Sequence, residues 1–205
     1  MSIRVKICGI TRPEDALFAE KAGASAVGFI FYPKSPRYID PESVKEISGK
    51  LGPFISRIGV FVNEDPDEIL HIFKTARLSA VQLHGSEKQE FIEKLNGIPV
   101  IKAFRVGKIF DCDELSRYDA NAYLLDTYDP DSMGGTGKTF DWEIARRCGS
   151  LGKVILAGGL NESNISEAIN SARPWAVDVS SGVESEPGIK DIRKIRALFQ
   201  AVKEA

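Results

Sequence analysis

Val5-Lys6-Ile7-Cys8-Gly9 is the stretch whose reading decides the fold. Val5 and Ile7 form one apolar face, Lys6 and Cys8 fall on the other, and the run stops at glycine. A repeat of two is the repeat of a β-strand, whose successive side chains point to opposite sides. The same kind of run recurs at Ala26–Phe31, Ile58–Asn63, Ala80–His84, Val100–Phe104, Tyr123–Asp126, Val154–Gly158 and Ala176–Ser180. Stretches of helical spacing lie between the runs, among them Asp15 to Ala22, Asp67 to Ala76 and Ile192 to Val202. Strands alternating with helices build βαβ units and a parallel sheet. Eight such units in 205 residues, about 25 residues each, predict a lean closed (β/α)8 TIM barrel of the α/β class. That fold keeps its chemistry at the C-terminal ends of its strands, where these runs stop.

Helices cover the outside of such a barrel, so the outward residues have to be apolar. Val5 and Ile7, Val81 and Leu83, Tyr123 and Leu125, and Val177 and Val179 meet that requirement. The inward face then carries Lys6, Cys8, Gln82, His84, Leu124, Asp126, Asp178 and Ser180. Burying that many polar groups without partners costs a few kcal/mol each, so they are expected to bond one another or a ligand near the barrel mouth.

Bulk composition narrows the function classes. Nothing divides the chain, and 1–205 reads as one catalytic domain. Twenty-seven basic and 29 acidic residues, dispersed to a net charge of −2, leave no footprint for nucleic acid or an anionic membrane. No apolar stretch approaches the roughly 20 residues of a membrane span, and the start reads as a strand, so the expected setting is cytoplasmic. A small soluble ligand is the expected partner, and both a monomer and a homodimer are compatible with the sequence. Three cysteines without a Cys-x-x-Cys pair predict free thiols, and two histidines without a clustered third ligand predict no metal site.

The loops sketch the rim of the site. Gly158-Gly159-Leu160-Asn161 follows the seventh run and Ser180-Ser181-Gly182 the eighth, the two places where such barrels often hold phosphate. Glycines admit an anion close to the backbone, and Asn161 or Ser163 is expected to cap the next helix and offer its amides. The proline-stiffened Tyr32-Pro33-Lys34-Ser35-Pro36-Arg37-Tyr38 presents Arg37 either to solvent or to a second anion, which a guanidinium grips with two parallel bonds. A long glycine-rich stretch from Thr127 to Lys138, containing Met133-Gly134-Gly135-Thr136-Gly137, reads as a lid or binding loop.

Several of these segments together resemble phosphoribosylanthranilate isomerase. They are Lys6 to Thr11, Pro33 to Tyr38, Gly59 to Asn63, Val81 to Gly85, Leu125 to Thr127, Gly134 to Phe140 and Val177 to Val183, in family order over nearly the whole chain. The resemblance implies an isomerase without metal or cofactor. Such an enzyme converts N-(5-phosphoribosyl)anthranilate to 1-(2-carboxyphenylamino)-1-deoxyribulose 5-phosphate by an Amadori rearrangement, the third step of tryptophan biosynthesis from chorismate. It implies Cys8 as general base, Asp126 as general acid, Arg37 on the anthranilate carboxylate, and the loops after strands 7 and 8 on the phosphate. Read alone, Cys8 is a buried small hydrophobe and Asp126 a carboxylate bonded to loop amides as readily as a base and an acid.

The chemistry asks for such a pair. An acid protonates the ring oxygen, a base takes the C2′ proton, and the two must flank one sugar. A carboxyl group near its reference pKa of about 3.9 is ionised at neutral pH, so Asp126 needs a raised value or a proton retained once substrate excludes water. A thiol near about 8.5 gains from a cation, and Lys6, two residues back on the same face, is the candidate. Asp178 is expected to hold loop amides or pair with Lys6, while His84 either touches substrate or bonds its neighbours. Gln82 belongs to the same supporting group, and His71 has no evident role. The rivals are another sugar-phosphate barrel, such as indole-glycerol-phosphate synthase or a pentose-phosphate epimerase, and a non-catalytic phosphometabolite sensor. A metal-dependent epimerase would want several inward histidines and acids, and a pure binder has no need of a base paired with an acid.

Overall fold

The computed structural model describes residues 3–95, 97–107, 109–127 and 141–205. Eight parallel strands close on one another in sequence order: β1 Arg4–Cys8, β2 Ala26–Ile30, β3 Ser56–Phe61, β4 Ala80–Leu83, β5 Val100–Val106, β6 Ala122–Thr127, β7 Val154–Leu156 and β8 Ala176–Val179. Among the described residues seven helices pack outside: α1 Pro13–Ala22, α2 Pro41–Lys50, α3 Pro66–Thr75, α4 Gln89–Glu93, α5 Trp142–Cys148, α6 Ile165–Ala172 and α7 Ile192–Lys203. A 3-10 turn at Cys112–Arg117 takes the helical place between β5 and β6. The predicted (β/α)8 barrel is present, and each of the eight apolar runs overlaps one of its strands. Among the described residues no helix is long and apolar enough to cross a membrane.

Local rules set the helix starts. Asp40 and Asp65 accept the amides of Ser43 and Asp67 at 3.0 and 2.9 Å, and a proline follows each at the first helical position, where its missing N–H costs nothing. Asp191 caps α7 in the same way through the amide of Arg193.

Two apolar layers hold the barrel. The predicted outward residues Val5, Ile7, Val81, Leu83, Tyr123, Leu125, Val177 and Val179 all lie in the large cluster between sheet and helices. A smaller cluster, including Ile58, Ile101, Ala103, Leu124 and Ile155, plugs the barrel axis. That plug is the floor of the site; the polar inward residues sit above it.

Two expectations need correction. Cys112 and Cys148 form a disulfide, and only Cys8 is free. The sequence shows no pairing motif because the partners are 36 residues apart; the fold sets the 3-10 turn against α5 and brings their Cα atoms to 5.1 Å. Several runs also outlast their strands. β3 ends at Phe61, Asn63 turns into the left-handed region with φ 51°, and His84 and Ser180 lie one residue beyond β4 and β8. The functional side chains therefore stand on the first loop residues as well as on the last strand residues. The expected glycine-rich lid, with Gly134 to Phe140 and Met133 to Gly137, lies outside the described residues.

Candidate active site

A cavity of about 390 Å³ opens at the C-terminal ends of the strands, within the range typical of small-molecule sites. Of the residues singled out in the sequence, Cys8, Arg37, Gln82, His84, Asp126, Gly158, Gly159, Asp178, Ser180 and Ser181 line it. Lys6 and Gly182 do not. Lys6 lies beneath, buried at 4% exposure, and Gly182 packs against the neighbouring loop.

The base candidate sits in a crowded corner. Cys8 pairs in register with Gly28 on β2, where any Cβ would come within 2.6 Å of the sulfur and 2.9 Å of Lys6 Cε. Glycine there is what leaves room for both side chains. Lys6 donates to Asp178 Oδ2 at 2.8 Å and to Gln82 Oε1 at 2.9 Å. Burial alone would pull the Lys6 ammonium down, but the Asp178 carboxylate and Cys8 outweigh it and hold Lys6 above its usual value. Burial pushes the Cys8 thiol up and Asp178 adds to that, while the charge and hydrogen bond of Lys6 pull it back without cancelling the rise. The expected cation is thus beside the thiol, but shared with a carboxylate. Burial and the Asp178 carboxylate thus favour the neutral thiol over the thiolate.

Asp126, near the end of β6, accepts the amide of Thr127 through Oδ1 at 2.9 Å, and its Oδ2 lies 3.4 Å from His84 Nε2. Gln82 Nε2 is 2.9 Å from His84 Nδ1. Lys6, Gln82, His84 and Asp126 therefore form one chain of contacts across the floor. His84 bonds its neighbours, one of the two roles expected for it, while still facing the cavity. His71 is exposed on α3, away from the site.

At one end of the cavity, Gly158 and Gly159 adopt φ 87° and 65°, a region costly to residues with a Cβ. A Cβ on Gly182 would collide with the Leu160 carbonyl, so the loops after β7 and β8 lie backbone against backbone. Asn161 and Asn164 donate to the Gly159 carbonyl at 3.2 and 3.0 Å and fix that peptide. The amides of Gly159, Ser181 and Gly182 make no hydrogen bond among the described residues. They form a cluster of donors suited to an anion. The expected helix cap is displaced: α6 begins at Ile165 after Asn164, while Asn161 Oδ1 accepts the amide of Ser163 at 2.8 Å in the turn before it.

Arg37, also lining the cavity, gives Nε and Nη2 to Glu184 at 2.8 to 3.1 Å. Glu184 also accepts Lys190 Nζ at 2.8 Å, and Lys190 in turn donates to the carbonyls of Cys8 and Ser180. Burial would raise the Glu184 carboxyl, but Arg37 and Lys190 hold it below its usual value; burial pulls Lys190 down despite Glu184. Glu184, Lys190 and Gly28 escaped the sequence reading. Glu184 directly follows the Val177–Val183 segment, but nothing in its sequence neighbourhood marks it as the partner of Arg37 and Lys190. Arg105, on β5 opposite Asp126, also lines the cavity and was missed.

Two ionisable groups of different type over one sealed floor, with amide donors and a guanidinium on the same cavity, equip a (β/α)8 enzyme for acid–base work on a small anionic molecule. Residues 5–201 match the family of N-(5′-phosphoribosyl)anthranilate (PRA) isomerase. The N-(5′-phosphoribosyl)anthranilate isomerase of Trichlorobacter lovleyi is 50% identical over 204 residues, covering 99% of both chains. The crystal structure of phosphoribosyl anthranilate isomerase from Thermotoga maritima superposes with a TM-score of 0.93 at 48% identity, over 99% of this chain and 100% of that one. Another phosphoribosyl anthranilate isomerase, solved in complex with reduced 1-(o-carboxyphenylamino)-1-deoxyribulose 5-phosphate, matches at TM-score 0.89 and 45% identity, over 99% of this chain and 100% of that one. The chain belongs to the N-(5′-phosphoribosyl)anthranilate isomerase family.

Proposed function

We propose that this chain is an aldose–ketose isomerase, an intramolecular oxidoreductase, that converts N-(5-phosphoribosyl)anthranilate to 1-(2-carboxyphenylamino)-1-deoxyribulose 5-phosphate. The observation that carries the reading is that Cys8 on β1 and Asp126 on β6 line one cavity. Asp126 gives a proton to the furanose ring oxygen; the C1′–O bond breaks and an iminium ion forms. Cys8, as thiolate, takes the proton from C2′, and those electrons move to give the enolamine. Return of a proton to C1′ and loss of the 2′-hydroxyl proton leave the ketone, so the atoms balance without a co-reactant. Because burial raises the Cys8 thiol, its ionisation has to accompany substrate binding or occur at raised pH.

The amides of Gly159, Ser181 and Gly182, with Ser180 and Gly158 alongside, take the phosphate. Arg37, squared by Glu184, faces the anthranilate carboxylate. Lys6, Gln82 and Asp178 support the pair from below. The same reading takes 1–205 as one catalytic domain working in the cytoplasm, with no cofactor and no nucleic-acid or membrane partner. It places the chain at the third step of tryptophan biosynthesis from chorismate. Mixing the purified protein with freshly made phosphoribosylanthranilate and following anthranilate-type fluorescence tests it: enzyme-dependent loss of the signal is expected, and an unchanged signal with folded protein would remove the assignment.

A further inference from the structure

The contact chain beneath the cavity fixes the protons of its members by elimination. A lysine ammonium has only donors. Lys6 is buried and held above its usual value beside Asp178, so it is a cation and the Gln82 atom 2.9 Å away has to be the carbonyl oxygen. The Gln82 amide nitrogen then faces His84 Nδ1 at 2.9 Å as a donor. A nitrogen that accepts cannot carry a proton, so neutral His84 carries its proton on Nε2, the atom 3.4 Å from Asp126 Oδ2. The backbone next to His84 is pinned as well. Glu87, buried and paired with Lys102 at 2.8 Å, accepts the amides of Gly85 and Asn63.

We propose that Gln82 and His84 are positioning residues for Asp126: Lys6 sets the Gln82 amide, Gln82 sets the His84 tautomer, and the resulting Nε2–H is held 3.4 Å from the Asp126 carboxyl group, ready to donate to it once it ionises. This rests on the isomerase reading and deepens it. An acid that has given its proton to the ring oxygen becomes an anion, and a neighbouring N–H closes on that anion as the charge develops. Such a contact lowers the barrier without tightening substrate binding, so its loss falls on kcat and leaves KM in place. The chain orients and does not conduct, because a primary amide in its middle holds its own protons. Asp178 completes the arrangement by neutralising Lys6 through Oδ2; its Oδ1 is buried without a partner among the described residues.

The chain's two histidines make the test direct. Long-range 1H–15N spectra of protein labelled in the imidazole nitrogens report each tautomer, and His71→Gln, far from the site, assigns the pair. The wild-type His84 signal is expected to be that of the neutral Nε2–H form, and Gln82→Leu to abolish that preference. An Nδ1–H form in the wild type, or a preference untouched by Gln82→Leu, would overturn the proposal. In turnover, His84→Asn should lower kcat about ten- to hundredfold with KM changed less than about twofold. His84→Gln, whose amide reaches the Nε2 position, should recover most of the loss. A rise in KM with kcat preserved in His84→Asn would assign His84 to substrate contact instead and also overturn the proposal. The tautomer is read without substrate, so a failed chain and a failed isomerase assignment give different results.

Discussion

Glu184 holds Arg37 with both carboxylate oxygens, and the same carboxylate neutralises Lys190, which is fully buried beneath the cavity wall. Removing the shared acid therefore has two effects that can be separated. Glu184→Gln leaves Lys190 without a counter-charge and is expected to cost about 3 kcal/mol in urea unfolding. Arg37→Ala keeps the Glu184–Lys190 pair, costs less, and raises KM about ten- to hundredfold. Equal unfolding midpoints for wild type and Glu184→Gln would contradict this. The pH dependence has a definite sign. A carboxyl lowered in the folded state stabilises fully above its unfolded pKa, about 4.3, and that contribution fades as the pH falls below it toward the depressed folded value.

The Cys8 thiol offers a second test, read from thiolate absorbance against pH. Burial and Asp178 raise it, so it should ionise above the ordinary value of about 8.5. Lys6→Met should move the titration further up and Asp178→Asn should move it down. A titration unmoved by either change would remove Lys6 and Asp178 from the support of the base.

For the Cys112–Cys148 bridge, the measurable quantity is stability. Closing a loop with a sequence separation of 36 should stabilise the purified, oxidised protein by about 3 to 4 kcal/mol relative to the reduced form, on the chain-entropy model. Alkylation of the unfolded protein should label one thiol before reduction and three after it. Three labelled thiols without reductant, or equal unfolding midpoints with and without it, would count against the bridge.

The anion end of the cavity depends on two loops meeting without side chains between them. Gly182→Ala places a methyl group against the Leu160 carbonyl and has to part the loops. We expect weaker inhibition by inorganic phosphate and a KM raised about tenfold, with the barrel still folded, since the change lies on a loop. Unaltered phosphate inhibition would move the anion elsewhere.

The barrel was legible because its signal is periodic: outward apolar residues such as Ile7 and Leu83 must alternate with inward ones for the sheet to be covered. The inward polar set was legible for the same reason, since Lys6, Gln82 and Asp178 break the apolar pattern at matching heights. What depends on distance in space left no local mark. Cys112 and Cys148 give no sign of meeting, Gly28 gives no sign of facing a sulfur, and Glu184 gives no sign of squaring a guanidinium from the β2 loop. At α6 the cap too was set by geometry beyond the local pattern, falling on Asn164 rather than Asn161 or Ser163.

The pairing of thiol and carboxyl over one sugar is tested most directly by following phosphoribosylanthranilate fluorescence with wild type, Cys8→Ser and Asp126→Asn under the same conditions. Each variant should fold, keep KM within a few-fold, and lose about 100- to 10,000-fold in kcat. Near-wild-type turnover by either one would contradict the account.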